Sequence, residues 1–177
     1  MAPEVTETLL GRLPASQSAW LYHLCSASSS SDTNGPKGMF RRYPVRNQVY
    51  PGLIYVSKDN GDSGKERKIR GVLYSGLTPK EMARLDWFED TQYSRTKVSV
   101  SLTSVTGPSG QATQSGEMVD TETYLWTDPV EDLDIVPDEN DQDWSYQDFR
   151  QRNLQWYLEN TVIPCRRQLD QAIPLEE

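Results

Sequence analysis

The segment IRGVLYSGLTPKEMARLDWFE, residues 69–89, predicts a β-strand that leads directly into an α-helix. The apolar and β-branched residues over 69–77 are typical of a strand. The Thr-Pro-Lys-Glu run at 78–81 is a helix-start signal, because threonine caps a helix, proline suits its first position and glutamate completes a capping box. Apolar residues on one face then carry the helix to about Phe88.

Strand patterns lie on both sides of this helix. The segments before it are Met39–Val45 and Val49–Val56, and those after it are Ser94–Val105 and Met118–Trp126. Both early segments contain a proline, which favours an edge position or a bend. Strands that flank one central helix predict an α+β domain with a small, mostly antiparallel, barrel-like sheet.

Helices are predicted near both ends of the chain. Pro3–Leu10 reads as a short helix that Gly11 stops. A longer helix is expected over about Tyr146–Thr161, with Ser145 as its cap. Pro164 is expected to end it, because proline lacks a backbone N–H and clashes within a helix.

The length of 177 residues predicts a single domain, residues 1–177. Residues 26–38 are rich in Ser and Gly and predict a flexible loop. Residues 128–143 hold eight acidic residues and no Lys or Arg, so the remaining chain carries 18 acidic and 18 basic residues. The net charge of −8 therefore belongs to one solvated acidic loop, and no basic surface indicates nucleic acid or an anionic membrane as a partner.

Several other classes of protein are excluded by the composition. No apolar run approaches the roughly 20 residues of a membrane helix, and the first residues lack the pattern of a secretory leader. Two cysteines and a single histidine, His23, do not provide a disulfide framework or a multi-histidine zinc site. A calcium loop beginning at Asp138 would place Phe149 at its bidentate position. A cytoplasmic protein without metal or cofactor is expected.

The end of the central helix is the first candidate site. In Leu85–Asp90 (LDWFED), a carboxylate stands beside aromatic side chains. Desolvation by such neighbours raises the pKa of a glutamate and fits Glu89 for general-base catalysis. The alternative is an exposed helix end at which Asp86 or Glu89 pairs with Arg95.

The Tyr50-Pro51-Gly52 turn is the second candidate. Glycine allows a backbone to approach a ligand closely, and proline fixes the direction of the chain. The alternative is a bend or bulge in an edge strand.

Four groups of residues occur in a fixed order between about Met39 and Leu158: RRYPV at 41–45 with YPGLI at 50–54, GVLYSGLT at 71–78, LDWFE at 85–89 with YSR at 93–95, and YLW at 124–126. In this order they resemble the γ-glutamylcyclotransferase-like family, in particular its avirulence-induced-gene-like branch. The resemblance implies a small mixed barrel with flanking helices. It also implies a small-molecule substrate that carries a γ-glutamyl group.

The resemblance further implies an acyltransferase-type reaction with Glu89 as its general base. That residue would take a proton from the α-amine of the γ-glutamyl group. The amine would attack the γ-carbonyl, close 5-oxoproline and release an amine or an amino acid. The implied substrate-binding residues are Tyr50, Pro51, Gly52, Arg95 and Tyr124, with a structural role as the alternative for Arg95.

The sequence departs from the family pattern in one respect. The Tyr-Gly-Thr-Leu loop that follows the family's first strand is absent, and residues 1–12 resemble the helix after that loop. The fold is therefore expected to lack its first strand, with an altered stretch over 20–37. The alternative function is a catalytically inactive family member that binds a small molecule or a protein. The oligomeric state is left open.

Overall fold

The computed structural model describes residues 1–24, 38–57, 69–103, 117–135 and 144–175. The predicted loop at 26–38 lies outside these ranges except for Gly38, and so do residues 136–143 of the acidic loop. The described residues form six strands: β1 (Ala15–Leu24), β2 (Gly38–Pro44), β3 (Pro51–Ser57), β4 (Ile69–Ser75), β5 (Tyr93–Leu102) and β6 (Met118–Trp126).

All paired strands are antiparallel. One sheet has the order β4-β1-β5-β6 and the other consists of β2 and β3. Phe40 of β2 packs with Val98 and Val100 of β5, so the two sheets share one apolar core. The predicted α+β class with a mostly antiparallel sheet is confirmed.

Strand β1 is not predicted from the sequence. It lies inside the four-stranded sheet, where it pairs with β4 on one side and with β5 on the other. Its first half is rich in Ser and Gln, which removes the local apolar signal. Ala19 nevertheless lies in the core at 4% exposure, in the same apolar cluster as Phe40 of β2 and Val98 of β5. Strand β1 therefore forms through pairing with strands that are distant in the sequence, not through a local sequence pattern.

The central helix α2 (Pro79–Glu89) begins as predicted. The Thr78 hydroxyl accepts a hydrogen bond from the Glu81 N–H at 3.2 Å, and the Glu81 carboxylate accepts one from the Thr78 N–H at 2.7 Å. Arg12 donates two hydrogen bonds of 2.7 Å to the same carboxylate. Burial opposes ionisation of Glu81, but the bonds from Arg12 and Thr78 hold its pKa below the usual value. This fixed start also sets the position of the other end of the helix.

The predicted stop at Pro164 is wrong, because helical backbone continues to Ala172. Ile163 donates its N–H to the Leu158 carbonyl, five residues earlier. This wide turn removes the usual clash ahead of a proline ring, so Pro164 fits inside the helical run. The C-terminal elements are α3 (Tyr146–Arg152), α4 (Leu154–Tyr157), a π-helical segment (Leu158–Val162) and α5 (Ile163–Ala172).

The C-terminal helices are fixed to the rest of the domain through α2 and through α1 (Pro3–Leu10), the predicted N-terminal helix. Arg84 is completely buried and donates to the Asp170 carboxylate at 2.7 Å and to the Ile173 carbonyl at 3.1 Å. An apolar cluster made of α1, α2 and the C-terminal helices surrounds this contact. Among the helices in the described ranges, none is long and apolar enough to cross a bilayer.

The described half of the acidic loop is attached to the sheet. Leu133 is 1% exposed and pairs with Val45 through a β-bridge, while the neighbouring acidic side chains are exposed. Asp134 also forms an ion pair with Arg46 at 3.1 Å. The composition of this segment predicts a wholly solvated loop, but Leu133 fixes its described half to the sheet.

Candidate active site around Glu89

Glu89 is the last residue of α2, and the chain turns sharply after it. Asp90 has φ 52° and ψ −159°, a conformation that is strained for any residue other than glycine. Its carboxylate accepts a hydrogen bond of 2.7 Å from the Thr91 N–H, which stabilises the turn. The turn ends α2 at the predicted base and sends the chain directly into β5.

Four tyrosines from four parts of the fold lie in the electrostatic field of Glu89. Burial is the larger cause of the raised pKa of each phenol, and the Glu89 carboxylate raises each of these pKa values further. We call this set the tyrosine cluster; its members are Tyr50 before β3, Tyr93 in β5, Tyr124 in β6 and Tyr157 in α4. All four phenols stay protonated at neutral pH and can donate hydrogen bonds.

The surroundings of Glu89 change its pKa. Burial raises the pKa of Glu89 to about 7, and the amino group of Met1 partly offsets this effect. Burial lowers the pKa of the Met1 ammonium, whereas Glu89 raises it. A carboxyl group with a pKa near 7 can both accept and return a proton at physiological pH.

Three phenols of the tyrosine cluster are held by hydrogen bonds. Tyr93 donates to the Pro51 carbonyl at 3.0 Å, and Tyr50 donates to the Gln92 side chain at 3.3 Å. Tyr124 donates to Asp86 at 2.7 Å. The first two bonds connect the start of β3 with β5 and with the turn before it, and the third connects β6 with α2. The predicted residues Tyr50, Pro51 and Tyr124 are thereby brought to the same region as Glu89.

Arg95 lies in the wall of a neighbouring cavity of 360 Å³. Its guanidinium is 3.5 Å from Asp86 and 3.4 Å from Glu122. Arg95 thus has ion-pair partners on α2 and on β6, as the structural alternative predicts, and at the same time faces open space. The cavity is lined by Asp86, Asp90, Tyr93, Ser94, Arg95, Glu122 and Tyr124.

A second cavity of 480 Å³ lies on the far side of Val49. Trp144 donates from its indole N–H to the Val49 carbonyl at 3.0 Å, and Arg42 lies over its ring at 5.1 Å. Its lining includes no tyrosine of the cluster, whereas the lining of the 360 Å³ cavity includes Tyr93 and Tyr124. We therefore assign the candidate site to the Glu89 region.

Gly52 faces protein atoms on the side where a side chain would stand. A Cβ atom there would lie 2.6 Å from Leu133 Cδ2 and 3.2 Å from the indole ring of Trp126. Strand β3 can approach these two residues so closely because the position is glycine. Close packing of β3 is sufficient to explain the glycine, while Tyr50 and Pro51 remain beside the site.

Tyr93 and Tyr157 belong to the site but are not among the residues predicted for it from the sequence. Tyr93 stands in the YSR segment, four residues after Glu89, so its proximity could have been inferred from the helix end. For Tyr157 the sequence predicts only a position within the C-terminal helix. Its position depends on how the C-terminal helices pack, and no local pattern indicates that.

Comparisons with known proteins identify the family of this chain. Residues 11–146 match the family model described as gamma-glutamyl cyclotransferase, AIG2-like. AIG2-like protein D of Arabidopsis thaliana is 28% identical over 161 residues, which cover 91% of this chain and 80% of that protein. AIG2-like protein C of the same plant is 27% identical over 169 residues, with 92% and 75% covered.

A solution structure of a protein from Arabidopsis thaliana aligns with a TM-score of 0.49 at 20% identity, covering 97% of this chain and 78% of that chain. The region matched by the family model contains β1 to β6, α2 and three members of the tyrosine cluster, while Tyr157 lies beyond it. Because that region is well over half of the chain, the protein belongs to the gamma-glutamyl cyclotransferase, AIG2-like family.

Proposed function

We propose that this protein is a γ-glutamylcyclotransferase that converts a small γ-glutamyl compound into 5-oxoproline and a free amine or amino acid. The observation that carries the proposal is Glu89, a partly desolvated carboxylate at the end of α2 whose pKa burial raises to about 7. The substrate of the proposed reaction brings an α-ammonium group that must lose a proton before its nitrogen can attack. Family membership supports the reaction type.

In the proposed reaction, Glu89 takes one proton from the substrate's α-ammonium. The freed amine attacks the γ-carbonyl carbon, a C–N bond forms and a five-membered ring closes. Collapse of the tetrahedral intermediate breaks the bond to the leaving amine, which takes the proton held by Glu89, while the ring nitrogen releases its second proton to solvent. Since the attack is intramolecular, holding the glutamyl chain in a curled conformation supplies much of the rate.

The surrounding residues have separate proposed roles. Tyr50 and Pro51 form the side of the site next to β3, where they are held by Gln92 and Tyr93. Tyr124 and Arg95 share Asp86 as a partner and border the open cavity, where the leaving group would reach solvent.

The direct test is a product assay. The purified chain is incubated with a panel of γ-glutamyl amines and γ-glutamyl dipeptides, and 5-oxoproline is quantified by mass spectrometry. We expect enzyme-dependent release from at least one member of the panel. Absence of 5-oxoproline from every member would contradict the proposal. Binding of 5-oxoproline without turnover would instead favour the alternative of a catalytically inactive family member that binds a small molecule.

The rate should depend on pH through Glu89. The base works only when it is ionised, and burial raises its pKa to about 7. We therefore expect kcat/KM to fall about tenfold for each pH unit below 7 and to level off at higher pH. Initial rates in overlapping buffers from about pH 5.5 to about pH 8.5 check this. A flat profile across that range would contradict the assignment of the base.

A further inference from the structure

Tyr157 occupies a fixed position between the site and the C-terminal helices. The centre of its ring lies 6.1 Å from the centre of the Tyr50 ring and 5.7 Å from that of the Phe149 ring. The pair with Phe149 is in an edge-to-face arrangement. The residue is 8% exposed and belongs to the core cluster that also contacts Tyr124 and Phe88. Packing from two sides leaves the phenol little freedom to turn.

In the tyrosine cluster, only the Tyr157 hydroxyl has no hydrogen-bond partner among the described residues. The Tyr157 oxygen is not among the fully enclosed unpaired side-chain atoms of the described residues, so it is not sealed off from solvent or from a bound molecule. The other three phenols donate to Gln92, Pro51 and Asp86. Tyr157 is therefore the member of the cluster that can give its hydrogen bond to a bound molecule.

The backbone next to Tyr157 also departs from regular helix geometry. The π-helical segment Leu158–Val162 begins at the following residue. Such segments are rare and occur often at functional sites. Here the wide turn allows the helical run to continue past Pro164 to the anchor formed by Arg84 and Asp170. The sequence thus accommodates an irregular helix that keeps Tyr157 against Tyr50.

We propose that Tyr157 is a substrate-binding residue whose hydroxyl donates a hydrogen bond to an anionic oxygen of the glutamyl group. This inference rests on the proposed function. The glutamyl group carries two such oxygens: the α-carboxylate before reaction, and the γ-carbonyl oxygen once the amine attacks. Burial together with Glu89 keeps the pKa of Tyr157 far above neutral, so the phenol acts as a donor at all working pH values. The residue lies outside the region that the family model matches.

The test is Tyr157→Phe, with Tyr146→Phe as the matched control. Tyr146 is 37% exposed on α3, and the same hydroxyl is removed there away from Glu89. We expect kcat/KM of Tyr157→Phe to fall about tenfold to hundredfold, with the control unchanged. A fall in kcat at constant KM identifies the γ-carbonyl oxygen as the acceptor. A rise in KM together with weaker binding of 5-oxoproline, which retains the α-carboxylate, identifies that carboxylate.

Two results would overturn the inference. One is an active wild-type enzyme whose Tyr157→Phe variant has the same kcat, KM and affinity for 5-oxoproline. The other is a loss of activity that follows a lowered Tm and disappears at about 10 °C, because that would show a role in folding alone. Failure of the proposed function gives a different result, since the wild-type protein itself would then release no 5-oxoproline.

Discussion

Glu89→Gln is expected to abolish 5-oxoproline formation and to make the folded protein more stable at about pH 8. The amide has nearly the shape of the carboxylate but cannot accept the proton of an α-ammonium. General-base catalysis contributes about 10²–10⁴-fold to a rate, so we expect turnover to fall by about three orders of magnitude. Single-turnover product formation, measured with the best substrate of the panel, checks this.

The stability gain follows from the same desolvation. The pKa of Glu89 is raised from 4.5 to about 7 in the folded protein, so the folded state binds this proton more tightly than the unfolded state. The resulting stabilisation is complete below about pH 4.5 and is lost as the pH rises through 7. At about pH 8 the folded protein must hold Glu89 in its charged form in a desolvated place. A pKa rise of this size then lowers the free energy of unfolding by about 3 kcal/mol. Glutamine carries no charge and avoids the penalty.

Urea unfolding at about pH 8 and about pH 4.5 separates the two effects. We expect Glu89→Gln to exceed the wild type by about 1–3 kcal/mol at the higher pH and to match it at the lower. Glu7→Gln is the control, because it makes the same chemical change at an exposed position of α1. Two results would contradict the role assigned to Glu89. One is a Glu89→Gln variant that still turns over substrate, and the other is a variant that is less stable than the wild type at the higher pH.

Local chemistry explains which parts of the fold could be predicted from the sequence. The start of α2 is specified by the contact between Thr78 and Glu81, which lie three residues apart, and both hydrogen bonds form as expected. Strand β1 has no comparable signal. Ala19 becomes a core residue through Leu102 and Gly71, which are far away in the chain. A pattern read along the chain detects the first kind of element and misses the second.

The same distinction applies to the site. Glu89 and Tyr93 stand close together in the sequence, at the helix end that local signals predict. Tyr157 comes from a helix whose course depends on the π-helical turn at Leu158 and on the Arg84 anchor. Neither contact leaves a periodic pattern, so the sequence alone predicts a stop at Pro164. Prediction of the position of Tyr157 requires the tertiary structure.

Gly52→Val should lower the free energy of unfolding by about 2–3 kcal/mol. The new Cβ would stand 2.6 Å from Leu133 Cδ2, and Leu133 is 1% exposed, so it has no free space into which to move. On the other side it would meet the rigid indole of Trp126 at 3.2 Å. Strand β3 would have to separate from this core cluster, which also includes Val45.

Gly71→Val is the matched control, because the same side chain is added to a strand glycine at which a new Cβ would have no atom within 4 Å. There we expect no loss, since valine suits an exposed strand position better than glycine. Urea unfolding compares the two variants, and kcat/KM of the folded fraction is measured alongside at about 10 °C. If Gly52 serves packing alone, the folded Gly52→Val protein keeps most of its activity. Unchanged stability with lost activity would instead support the alternative that this glycine admits a ligand.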